Sequence, residues 1–302
     1  MATTKRRPQG HHFRAAAMLA QLPELAAGTS LVPNVPQGES LVDFVKRTGK
    51  RVEVKNDDGS TEKFTVVEGD LLLDDDQLQA WADERETLAR AERLGLETDP
   101  RQLVGLLRNG KILRWQDGLT LTYCVLKNTF PVAGQYQTMV TNMKKATDDW
   151  SATCGVTFVH NVALDTSGGT AIPAGATFAV RGINANGQFI ASSFFPDDPI
   201  DRRRVLIDPS YFSTSFDKVG VLRHELGHVL GFRHEHIRAE APPACPDEPL
   251  FGVTNLTAYD PQSTMHYFCG GVGTQMLAIS TKDRDGSQSV YGRPLNDFTF
   301  VG

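Results

Sequence analysis

Apolar residues along the chain follow two periods, and the expected elements change where the period changes. Residues 51–55 (RVEVK) and 63–67 (KFTVV) alternate polar with apolar around the turn sequence NDDGS, which predicts a β-hairpin. A helix is expected from Asp74 to about Leu94, ended by Gly95 and Pro100. Its leading aspartates, Asp74–Asp76, suit the positive end of a helix dipole better than a metal site. Residues 1–50, rich in Ala, Pro and Gly, show no sustained period and predict loops with one short helix near 13–27.

Beyond Lys111 the texture changes. LTLTYCVL (119–126), VTFVH (156–160), ATFAVRG (176–182), QFIASSFF (188–195) and RRVLID (203–208) read as strands rich in β-branched and aromatic residues. Tyr136, Met139, Val140, Met143, Ala146 and Trp150 recur at helical spacing, so a helix is expected over 133–151 with this stripe in the core. A second helix is expected over 216–231. Strand, helix, strands, helix is the order of an α/β fold, a sheet packed between helices. Residues 1–110 form a separate α+β N-terminal segment in this reading, and 111–302 a second domain.

Composition narrows the picture. The chain has 302 residues, 40% hydrophobic and 22% charged, with a net charge of −5. Its charges of both signs are interspersed, so nucleic acid is not an expected partner. No stretch approaches the ~20 apolar residues of a membrane span, and no membrane partner is expected. Lys5–Arg7 and AAAMLAQL (15–22) are the parts of a signal peptide, but Pro8–Arg14 separates them and a flexible arm is the expectation. The cysteines Cys124, Cys154, Cys245 and Cys269 show no CxxC spacing, which leaves two disulfides in an exported protein or four thiols.

The chemistry concentrates in HELGHVLGFRHE, residues 224–235. His224 and His228, four apart on a helix, project from nearly the same face and can share one small ion. Gly231 tolerates the left-handed conformation that ends the helix and turns the chain back, bringing His234 in as a third ligand. Three neutral imidazoles leave one tetrahedral position open, the layout of a catalytic zinc site. Glu225 faces that position and suits a general base for a water activated by the metal. His160 reads as an ordinary strand-end histidine. His236 and His266 flank the motif without a ligand position and are expected behind the ligands or at the surface.

HExxHxxGxxH followed by a methionine turn is the signature of the metzincins, zinc endopeptidases, and the chain resembles them over about residues 112–292. The methionine turn is STMHY, Ser263–Tyr267. GFRHEHIRAE (231–240) and YDPQSTMHY (259–267) resemble the astacin strings GFxHEQxRxD and YDxxSIMHY. GQFIASSFFP (187–196) and ISTKDRDGSQSVYG (279–292) are similar to the matrixin edge strand GxLAHAFFP and C-terminal LSxxDxxGIxxLYG.

The resemblance implies a metzincin (zincin-like) catalytic domain over 111–302, a twisted five-stranded mixed sheet with an active-site helix. Its upper subdomain would be 111–231 and its lower one 232–302. It implies a zinc endopeptidase acting as a monomer on proteins or peptides, secreted or extracytoplasmic. Met265 would floor the site. Tyr267 would serve as a flexible zinc ligand or donor to the transition state. Glu235 matches the residue that anchors the mature N-terminus in astacins. Substrate would lie extended along Gln188, Phe189, Ile190, Ala191, Ser192 and Ser193, with Phe268–Gln275 shaping the pocket beyond the scissile bond.

APPACPDEPLFG (241–252) departs from astacins, which continue there with a charged run. Cys245 and Cys269 bracket the methionine turn and could be linked, and Cys124 and Cys154 lie near neighbouring strands where a bridge is also open. VVEGDLLL (66–73) resembles the FxGDI segment of astacin propeptides, in which an aspartate fills the open zinc position, so Asp70 is either such a switch or part of a turn into the following helix. Two other functions stay open: a catalytically silent zinc-binding protein, which an intact Glu225 argues against, and a toxin or inhibitor module whose active part is the N-terminal segment.

Overall fold

A computed structural model describes residues 35–36, 38–67, 69–83, 104–108, 111–238, 240–245 and 253–299. The helix expected near 13–27 lies outside them, as does the stretch 84–94 of the helix expected from Asp74.

The N-terminal segment begins with α1 (Leu41–Thr48), where the Ser40 side chain accepts from the Asp43 N–H and caps the first turn. The expected hairpin follows as β1 (Lys50–Lys55) and β2 (Thr61–Val67), paired antiparallel with Val52 opposite Phe64. Gly69 and Asp70 turn the chain into β3 (Leu71–Leu73), which pairs back on β2, and residues 75–83 are helical (α2). β3 is too short to display a period, whereas α1 corrects the expectation of loops before residue 50: Leu41, Val42 and Val45 recur at helical spacing and line one core. The two faces of this small sheet do different work. Val67 and Leu71 close a local core with Leu41, Val42, Leu78 and Ala82. Val52, Val54, Phe64 and Val66 pack instead on Ala185, Phe189 and Leu206.

β4 (Val104–Arg108) and β5 (Lys111–Ile112) lead into the main sheet, built from β6 (Thr120–Val125), β7 (Thr157–His160), β8 (Phe178–Gly182), β9 (Ala191–Ser192) and β10 (Arg204–Ile207). The order is β7-β6-β8-β10-β9, parallel except for antiparallel β9 at the edge, so the expected five-stranded mixed sheet is present. Inner-face residues Leu121, Tyr123, Val125, Val205 and Ile207 join the core that receives α3 (Gln135–Ser151). That helix buries the expected Met139, Met143, Ala146 and Trp150, and the Trp150 indole N–H donates to the Arg223 carbonyl of the next helix, α4 (Lys218–Val229). β11 (Val253–Asn255) pairs with β4, and α5 (Thr281–Tyr291) closes the chain behind a Ser280–Asp283 capping box.

Two further expectations need correction. The strand at 188–195 shrinks to Ala191–Ser192. Asn186 and Gly187, both at positive φ, turn the chain just before it, and the Asp198 carboxylate accepts from Phe195 N–H and turns it just after. Gln188 and Phe189 therefore sit outside the ladder. The second correction concerns cysteine. Cys245 and Cys269 are bonded, but Cys124 and Cys154 are free and buried. Cys124 points to the outer face of the sheet with Leu126 and Ala179, whereas Cys154 lies in the inner core, so no bond joins them. Burial pushes both thiols up to about 12, which keeps them protonated and unreactive.

Candidate metal centre

The site is built on α4. Asp217 caps its start by accepting from the Gly220 N–H, and a Schellman motif ends it, with Phe232 N–H on the Gly227 carbonyl and Gly231 N–H on that of His228. Gly231 sits at φ +91°, and a Cβ there would meet the Leu113 carbonyl at 2.7 Å. The turn it permits returns the chain so that His234 faces His228, with their Nε2 atoms 3.1 Å apart.

Asp70 completes the group. Its Oδ2 lies 3.2 Å from His234 Nε2 and 3.4 Å from His224 Nε2. One ligand atom from each of Asp70, His224, His228 and His234 falls within 4.8 Å of all the others, and all four residues are buried. Bonds of about 2.0–2.1 Å to a tetrahedral zinc put ligand atoms about 3.4 Å apart, so the closest of these spacings fit that ion. Outer partners fix the ring orientation. His224 Nδ1 lies 2.8 Å from the Thr264 carbonyl and His228 Nδ1 2.8 Å from that of Phe232. Each Nδ1 then carries the proton and each Nε2 presents its lone pair. Burial, aided by His234, holds His228 well below the usual histidine range, which keeps it neutral as a ligand must be.

Glu225 follows the first ligand and is buried, with no hydrogen-bond partner for Oε2 among the described residues. Burial, and then the Asp70 charge, push its carboxyl well above the usual range. A buried carboxyl with one oxygen left bare is costly, so its position needs a chemical reason.

Met265 lies fully buried under α4. A Cβ on Gly227 would come 2.2 Å from its Sδ, so the close approach of methionine and helix depends on glycine there. Gly227→Ala is therefore expected to lower the melting temperature and weaken zinc binding. Overpacking of about 1–3 kcal/mol outweighs the ~1 kcal/mol that alanine gains in a helix. A raised melting temperature with unchanged zinc content would mean that Met265 swings aside freely.

Tyr267 stacks its ring against His236 at 4.2 Å and lies 4.5 Å from the His234 ring. His236 and His266 are both buried beside the three clustered histidines rather than at the surface, and the Tyr259 hydroxyl lies 2.8 Å from His266 Nε2. Glu235 is buried too. Its Oε1 accepts from Asp260 N–H and pairs with Arg238 at 3.0 Å, Oε2 has no partner among the described residues, and burial raises the carboxyl to about 8. Of the expected substrate contacts, Ala191 and Ser192 form the edge strand, and Ser193 donates from Oγ to the Glu225 carbonyl. Phe189 is buried under the N-terminal hairpin, Gln188 Nε2 donates to the Arg51 carbonyl, and Ile190 packs against the main core.

Sequence reasoning missed Gly69. It sits at φ +89°, and a Cβ on it would lie 2.8 Å from the Tyr267 hydroxyl. The Gly-Asp pair thus lays bare backbone on the tyrosine and a carboxylate among the histidines. A glycine directly before the candidate aspartate was the available signal. The carbonyls of Thr264 and Phe232 carry no signal, because every residue has one.

No protein-family model matches the chain, and no curated protein matches it. Among solved structures it is similar to high choriolytic enzyme 1, a hatching-enzyme zinc protease from Oryzias latipes (medaka fish). The identity is 16% and the TM-score 0.38, over 60% of this chain and 93% of that one.

Proposed function

We propose that the chain is a zinc-dependent endopeptidase kept latent by its own N-terminal segment. The observation that carries the reading is the buried cluster of His224, His228, His234 and Asp70 beside the buried Glu225 carboxyl, whose Oε2 has no hydrogen-bond partner among the described residues. His224, His228 and His234 would hold zinc in the latent and active forms, and Asp70 would fill the fourth position in the latent form alone. A zinc ion held there would supply Lewis acidity to a scissile carbonyl and to the attacking water.

The chain's own groups do the rest. Glu225 takes a proton from the attacking water and delivers it to the leaving amine, and its buried setting raises its affinity for that proton. Tyr267, once Gly69 has left its ring, donates its hydroxyl to the charge that develops on the carbonyl oxygen. Substrate would pair along Ala191–Ser192, the edge strand of the described sheet, once the N-terminal segment has left. The Cys245–Cys269 disulfide supports an extracytoplasmic setting.

Zinc-dependent peptide cleavage by the chain before and after cutting between residues 84 and 103 tests the reading. Zinc binding without cleavage in either form would favour a silent metal-binding protein, and activity confined to the freed N-terminal segment would favour a toxin or inhibitor module. Tyr267→Phe is expected to lower kcat of the cut form by about 10²-fold with zinc content unchanged, the usual cost of losing one oxyanion donor. An unaltered kcat would reduce Tyr267 to a packing residue.

A further inference from the structure

The outer face of the main sheet carries two neighbouring arginines whose guanidinium hydrogen bonds, among the described residues, all end in the N-terminal segment. Arg181 on β8 and Arg204 on β10 are buried at 2% and 5% exposure. The Arg204 guanidinium grips Glu62 of β2 through both carboxylate oxygens, one of them at 2.9 Å. Arg181 donates to Asn56 Oδ1 at 2.8 Å and to the Lys55 carbonyl. Among the described residues, every side-chain hydrogen bond of the two guanidiniums ends on residues 55–62. Burial, and then the charge of Arg204, pull Arg181 down to about 10, so the two cations already repel in the covered state. Beside them Ala185, Phe189 and Leu206 make an apolar floor on which Phe64 and Val66 rest.

The occupant has a simple pattern. On β2, Glu62, Phe64 and Val66 stand at alternate positions and meet the sheet together, the acid on Arg204 and the apolar pair on the floor. When the N-terminal segment leaves, two adjacent arginines lose their carboxylate and carbonyl partners, and the floor opens. That floor continues in sequence from Phe189 directly into Ala191–Ser192, the edge proposed for substrate. Fixed like charges beside an apolar floor select an acidic, extended partner.

We propose that this face is a recognition site, apart from the metal centre, for an extended stretch of a protein substrate with an acidic residue followed at alternate positions by two apolar ones. The N-terminal hairpin occupies it in the latent chain. The proposal rests on the reading of the chain as a protease whose N-terminal segment departs.

The test uses full chain carrying a specific cleavage sequence within residues 84–103, cut and freed of its N-terminal segment by size exclusion at high salt. A fluorescein-labelled peptide of residues 60–67 and its Glu62→Gln counterpart are titrated against it by anisotropy. If the cut segment stays bound, the same comparison is read as its displacement by excess peptide. The glutamate peptide is expected to bind about tenfold more tightly or better, with the advantage lost in Arg204→Gln and kept in Glu225→Gln. Equal binding of the two peptides, or indifference to Arg204→Gln, would overturn the site. Two substrates sharing one scissile sequence, with a distal Glu-x-Phe-x-Val or Gln-x-Phe-x-Val segment, are then compared. A higher kcat/KM for the first is expected, and equal values would overturn the assignment to substrates. Selective peptide binding with hydrolysis of neither would overturn the protease reading and the substrate assignment with it, while the acidic-strand site would stand.

Discussion

Glu225→Gln is expected to leave zinc content and fold intact and to lower peptide hydrolysis by about 10³-fold or more, within the range of a lost general base. The amide has nearly the same shape as the carboxylate but cannot carry the proton from water to the leaving amine. The ligand atoms belong to other residues, so metal stoichiometry by atomic absorption should match that of the parent chain. Stability is expected to hold or rise, because the substitution removes an ionisable group whose Oε2 is buried without a hydrogen bond. Hydrolysis persisting in the zinc-loaded variant would eliminate Glu225 as the base.

Asp70→Ala should produce the second large effect, in the uncut chain. The carboxylate oxygen 3.2 Å from His234 Nε2 disappears, and water can reach the fourth position. Activity should rise from a trace to a partial level, at least about tenfold, since one obstructing ligand is gone while the hairpin remains docked. Cobalt-substituted protein gives a second readout, because exchanging a carboxylate ligand for water alters the visible spectrum. Identical spectra and unchanged latency would show that Asp70 does not bind the metal. Latency would then come from steric cover, with Gly69 lying on Tyr267 as its nearest visible cause.

The parts of the molecule that could be read from sequence share one property: a fixed or repeated spacing marks them. Two histidines four apart and a glycine three beyond leave the helix few choices, and α4 with its Schellman turn follows. The stripe from Met139 to Trp150 was legible because a long helix repeats its buried face. The edge strand was overread. QFIASSFF is apolar enough for a strand, but Phe189 is apolar because it meets Phe64 and Val66 from a distant segment. Pattern alone cannot tell a residue buried in a ladder from one buried under a neighbouring unit. Cys124 and Cys154 failed for a related reason, since sequence places two thiols near one sheet without saying on which side. Arg181 and Arg204 gave no signal at all, because their partners lie more than a hundred residues away and no fixed spacing ties the two segments together.

The pairing of β4 sets where the chain can be severed. Leu106 N–H donates to the Gly231 carbonyl, Arg233 N–H to that of Val104, and β11 pairs with the same residues from the other edge of the strand. The turn that delivers His234 is therefore strapped by a stretch that precedes the main sheet. A break upstream of residue 104 removes the hairpin and Asp70 yet spares the strap. A break a few residues later would take β4 away, leave backbone groups around Gly231 and Arg233 without partners, and loosen the third histidine. A protease that freed the hairpin in this way would have a window bounded by the fold itself, ending where the strand that holds the His234 turn begins.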